Sequence, residues 1–142
     1  MAAANRLDLS QPVQKASWLL RLLSIVALIF GAMTIRSGGM VLFTTGAEHQ
    51  AAGNYVPFVL WFNFAAGFAY LLAALGLWLQ RGWGVLLAAV IALSTIVVFM
   101  ALGVHIATGG AYEMRTLAAM TLRSGLWVLI AVIAQKHVPS NN

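Results

Sequence analysis

The stretch WGVLLAAVIALSTIVVFMALGV, Trp83 to Val104, runs for 22 residues with only Ser94 and Thr95 as polar interruptions. About 18 or more apolar residues in a row cross a hydrocarbon core of about 30 Å as a helix, so this segment reads as a membrane span. Three further stretches qualify on either side of it: about Ser17–Ile35, Val56–Leu79 and Thr116–Ala134, the last split by Arg123. The connection QRGW, Gln80 to Trp83, is too short for anything but an antiparallel hairpin of the second and third spans. The expected fold is therefore all-α, a polytopic integral membrane four-helix bundle. It forms a single membrane domain over residues 1–142, with longer connections at about 36–55 and 105–115.

Composition agrees: 62% of residues are hydrophobic and 8% charged, too little polar surface to coat a soluble globule. The net charge of +5 comes from scattered Lys and Arg rather than a basic patch, which excludes a nucleic-acid partner. It reports topology instead. Arg6, Lys15, Arg21, Arg81 and Lys136 fall on one side and Arg36 and Arg115 on the other, which puts both termini in the cytoplasm. The expected location is a bacterial inner (cytoplasmic) membrane, multi-pass, with the two longer loops facing the periplasm.

The arm MAAANRLDLSQPVQKAS has the charge of a signal-peptide leader, but the apolar segment that follows is long, Arg21 interrupts it, and no clear small-x-small cleavage site follows. An uncleaved anchor is the favoured reading, with a helix start at Ser10–Gln11–Pro12. Trp18, Tyr55, Trp61, Trp78, Trp83 and Tyr112 sit near span ends as an aromatic belt, whereas Tyr70 and Trp127 fall deeper and should face protein.

Small and polar positions predict the packed faces: Arg21, Ser24, Leu28, Gly31 and Ile35 on the first span, and Asn63, Gly67, Tyr70 and Ala74 on the second. Ser94, Val98, Ala101 and His105 do so on the third, and Thr116, Met120, Arg123 and Trp127 on the fourth. AMTIRSGGMVLF and AMTLRSGLWVLI, in the first and fourth spans, agree at eight of twelve positions. A duplicated two-helix unit would pair the first span with the third, so the likeness reads as coincidence.

Arg123 lies about 12 Å below Arg115 at 1.5 Å per residue, near midplane. A guanidinium there costs a few kcal/mol unless it pairs, reaches water or snorkels. No Asp or Glu lies in any span. Its available partners are Asn63, Tyr70, backbone carbonyls, or Glu48 and Glu113 folded down from the loops. Two readings stay open: a structural arginine satisfied by carbonyls and water, or a site for an anion, lipid headgroup or quinone oxygen, with Arg36, Asn63, Tyr70 and Arg115 as further ligand-binding candidates.

The longer loops hold Glu48 and His49 in TTGAEHQAAGNY and His105, Glu113 and Met114 in HIATGGAYEMR. These are candidate Cu or Zn ligands, although their spacing matches no recognised signature. Haem ligation by His49 and His105 is a remoter version of that idea, and His137 lies on the opposite side. Competing structural roles are a capping box, Thr45 with Glu48, and Glu113 in the first turn of the last helix.

The absence of cysteine removes disulfides, thiol catalysis and thiolate clusters, and nothing signals a nucleotide, haem or iron–sulfur cofactor. Proton-coupled export needs an intramembrane carboxylate that is missing, and no nucleophile–base set suggests a hydrolase. The hairpin GFAYLLAALGLWLQRGWGVLLAAVIA, Gly67 to Ala92, is similar to the second and third helices of the DoxX-like family of small bacterial membrane proteins. IFGAMTIRSGG, Ile29 to Gly39, loosely resembles that family's first helix, while the acidic residue often found in its second helix has no counterpart near Asn63. The resemblance implies an inner-membrane bundle linked in some members to membrane redox complexes and quinones. Two functions follow as expectations. One is a non-catalytic assembly factor, anchor or accessory subunit with a membrane-protein partner or a second copy of itself. The other is a periplasm-facing binding or redox component that holds a quinone, anion or metal near Arg123 and His105.

Overall fold

The computed structural model describes residues 11–138. Arg6, the Ser10 cap and most of the leader-like arm lie outside them. Five helices follow in order: α1 Gln11–Phe43, α2 Ala47–Ala51, α3 Pro57–Trp78, α4 Gly82–Ala107 and α5 Met114–His137. Four of them, all but α2, are long and apolar enough to cross a membrane. No strand occurs among the described residues.

α1 packs most extensively on α3, α3 and α4 pack on each other, α4 packs on α5, and α5 returns to α1 through a much thinner seam. The end of the molecule that carries the 44–56 and 108–113 connections is the loop end; the α3–α4 turn marks the hairpin end. Exposed apolar side chains such as Leu28, Leu72, Leu86, Leu93 and Leu129 cover the outward faces. Such a surface suits lipid rather than water.

The largest departure from expectation is in α1, which continues through RSGG instead of ending near Ile35, so Arg36 is a helical residue. Glycine costs a helix only about 1 kcal/mol. Here Gly31 and Gly38 let α3 approach: a Cβ at Gly31 would meet the Gly67 carbonyl at 3.1 Å, and one at Gly38 would meet Phe64 Cβ at 3.2 Å. His105 is likewise inside α4, not in a loop.

The packed face of α1 is Leu20, Leu23, Ser24, Ala27, Gly31, Thr34 and Gly38; Arg21 and Leu28 point outward and Ile35 lies at the edge. Arg21 sits over the Trp78 ring at 5.9 Å. In α4 the buried hydroxyl is Thr95, while Ser94 bonds back to the Ile91 carbonyl at 3.1 Å and Ala101 is exposed. Both spans are apolar around most of their circumference, so composition gave little contrast from which to phase them. The α3 and α5 faces match expectation at Gly67, Tyr70, Ala74, Met120, Arg123 and Trp127, all buried. Trp18, Trp61, Trp78 and Trp83 are exposed near helix ends.

α3 stops at a tight turn. The Gln80 N–H donates to Leu77 O at 3.0 Å and the Arg81 N–H to Gly76 O at 2.9 Å, with Gln80 left-handed at φ 54. Gln80 Nε2 also donates to Ser17 Oγ at 2.8 Å, tying this turn to α1.

Two apolar cores result. The larger joins Leu20, Ala27, Tyr70, Leu77, Trp127 and Ile130 from midplane to the hairpin end, and the smaller joins Val56, Val59, Leu102 and Met120 near the loop end. Arg123 and Thr34 lie between them.

Candidate functional site

α5 carries Met120, Arg123, Ser124 and Trp127 on its buried face, and Arg123 is 8% exposed. Its Nη2 donates to Thr34 Oγ1 on α1 at 3.4 Å, a long hydrogen bond, and its Nη1 lies 3.8 Å from Met120 Sδ. The guanidinium carbon stands 5.5 Å from the centroid of the Phe30 ring, a cation–π contact. Nε has no partner. None of these neighbours is anionic, so the charge is buried without compensation. Asn63, Tyr70 and the loop carboxylates, the partners suggested by sequence, do not bond to it.

The near-copies AMTIRSGG and AMTLRSGL meet at this point, but out of phase. In the first, Thr34 is buried and Arg36 exposed; in the second, Arg123 is buried while Thr121, the counterpart of Thr34, is exposed. Equivalent positions on duplicated helices would be expected to share a face, so the contact between Thr34 and Arg123 adds to the case for coincidence.

A cavity of about 300 Å³ opens from the loop end between α1, α3 and α5 and reaches Arg123. Tyr55, Glu113 and Arg115 stand among its lining residues near the loop end; Thr34, Asn63 and Arg123 line it deeper. Asn63 Oδ1 is buried without a partner, as are Tyr70 Oη, Thr95 Oγ1, Ser124 Oγ and Trp127 Nε1. Buried polar atoms are rarely left unpaired, and of these residues only Asn63 lines the cavity, together with Arg123, so the place for water or a ligand is beside Asn63 Oδ1 and Arg123 Nε. Tyr70 does not line the cavity. Its ring lies between Phe30, at 6.0 Å, and Trp127, at 4.6 Å.

The remaining candidates hold the roof or stand apart. Glu113 is the residue before α5 rather than part of its first turn, and its Oε1 accepts the Asn54 N–H at 2.9 Å. Arg115 donates to the Ala51 carbonyl. These two bonds fasten the 44–56 connection to the start of α5. The capping box is not formed: α2 is capped by Gly46, with no side-chain cap, and Thr45 lies outside the helix. Arg36 is exposed, does not line this cavity, and shares a hollow of about 310 Å³ with Glu48 and Arg115.

His49 Nδ1–H donates to Val41 O at 2.6 Å, and His105 Nε2–H donates to Ala111 O at 3.0 Å. Met114 is exposed. No group of three or more His, Asp or Glu side chains placed to share a metal ion occurs among the described residues. The metal candidates are thus not gathered into one site, and neither histidine lines the cavity at Arg123.

Arg123, Asn63 and Arg115, singled out from the sequence, line the cavity, whereas the sequence does not single out Thr34 or Phe30 and places Met120 on the packed face without a role at the guanidinium. An aromatic or methionine in a membrane helix carries no mark of a site. A threonine there can satisfy itself on the carbonyl one turn back, so its type does not announce a role either. Compared with known proteins, the chain matches no family model, no curated protein and no solved structure.

Proposed function

We propose that this is a small binding protein of a bacterial inner membrane, with both termini in the cytoplasm and the cavity open toward the periplasm. In this reading it holds a ligand by an oxyanion placed against Arg123. The carrying observation is the buried guanidinium, 8% exposed, facing a cavity of about 300 Å³ with Nε free and no carboxylate in contact.

The physical reason is electrostatic. Coulomb attraction at an effective dielectric of about 20 is worth about 4 kcal/mol at 4 Å, and an incoming anion restores that compensation. Planar N–H donors suit carboxylate and phosphate oxygens better than a metal cation, which the charge repels. Thr34 and Asn63 supply neutral polar groups to the same ligand. The resemblance of Gly67–Ala92 to DoxX-like hairpins fits a small inner-membrane bundle of this kind.

The test is extraction of co-purifying small molecules from protein isolated in neutral detergent, comparing wild type with Arg123→Leu. An anionic compound present in the wild type and lost from a normally accumulating variant supports the site. A wild type free of bound anion, together with a variant that fails to accumulate, assigns Arg123 to holding α5 against α1. The assembly, anchor or accessory-subunit role then becomes the better reading.

A further inference from the structure

A second cavity, about 270 Å³, lies in the thin seam between α1 and α5. It shares Thr34, Ser37, Ala119 and Arg123 with the cavity that opens at the loop end. Arg123 therefore lies where two openings meet, one at the loop end and one at the lateral surface of the helices. The lateral opening is apolar on its flanks: Phe30 and Met33 from α1, Leu122 from α5, with Met33 and Leu122 each 65% exposed. On lipid-crossing helices those exposed side chains border the acyl region. Arg36, exposed and lining the same opening, places a second cation at its rim.

A ligand bound only through water has no use for this second opening. An apolar fissure that ends on a buried cation matches a molecule with a charged head and a hydrocarbon chain, because burying each CH₂ adds about 0.8 kcal/mol. The geometry points to a membrane amphiphile with an oxyanion head group as the occupant. Its head sits against Arg123 and Thr34, and its chain leaves between α1 and α5 along Phe30, Met33 and Leu122. This rests on the binding role given to Arg123 above and adds the class of ligand and its route.

The experiment titrates the full chain, in neutral maltoside detergent, with dodecyl phosphate and with inorganic phosphate, and counts bound molecules by native mass spectrometry. Wild type should take up dodecyl phosphate at concentrations at least tenfold below those needed for inorganic phosphate, and Arg123→Leu should lose both. Filling the seam with Met33→Trp and Leu122→Trp together should weaken dodecyl phosphate at least tenfold and leave inorganic phosphate within twofold. If that double variant does not accumulate, a series from hexyl to dodecyl phosphate on wild type reads the same property, as affinity that rises with chain length and depends on Arg123.

Equal affinity of wild type for the two probes overturns the amphiphile while leaving an anion site standing. No binding of either probe to wild type removes both. Dodecyl phosphate held equally by Arg123→Leu shows adsorption to the apolar surface and also overturns the inference.

Discussion

Arg123 is the residue on which the chemistry turns, and it was legible in the sequence because a charge in an apolar run must be accounted for. Its partners were not legible. Nothing in AMTIRSGG distinguishes Thr34, which meets the guanidinium at 3.4 Å, from Arg36, which does not, because the phase of α1 decides between them. The uncompensated charge also has a stability signature. Replacing a buried ionic group by an apolar one of similar shape is often neutral or stabilising by about 1–4 kcal/mol. Ligand-free Arg123→Met should therefore melt at or above the wild-type temperature in detergent. Melting well below wild type would mark the thin contacts to Thr34 and Met120 as structural supports.

At the scale of elements, glycines decide where helices can meet. A Cβ at Gly67 would fall 2.6 Å from Ile35 Cγ1 and 3.3 Å from the Gly31 carbonyl, whereas one at Gly125 meets nothing within 4 Å. Gly67→Ala should thus destabilise by about 1–3 kcal/mol through overpacking of α1 on α3. Gly125→Ala should instead stabilise by up to about 1 kcal/mol through helix propensity. Thermal melts of the two variants side by side check both signs. The same residues show what composition could and could not reveal. α3 and α4 were readable to within a residue or a few, because Pro57 opens one and a short turn separates them. Arg36 and the glycines after it resemble a boundary at Ile35 in the sequence, whereas in the structure Gly38 and Gly39 carry α1 onward against Phe64.

For the whole molecule, four helices long and apolar enough to cross a membrane and a cysteine-free sequence make the proposed orientation directly testable. A single cysteine at Gly46, in the loop-end connection, should react with a membrane-impermeant maleimide added to intact spheroplasts. A cysteine at Gly82, beside the hairpin turn, should react only after lysis. The reverse pattern would invert the proposed topology and turn the mouth of the Arg123 cavity toward the cytoplasm.

The fastening of the 44–56 connection to α5, through Glu113 to Asn54 and Arg115 to Ala51, carries a consequence for biogenesis. The arginine and one wall of both cavities belong to α5, and the carboxylate that fastens the roof immediately precedes it, so all of them follow the first three spans in the chain. The first three spans can insert and pack with α1 against α3, but at that stage there is no buried cation and no tethered roof. The pocket comes into being in one step when the fourth span arrives, so an incompletely synthesised chain has nothing with which to capture a ligand.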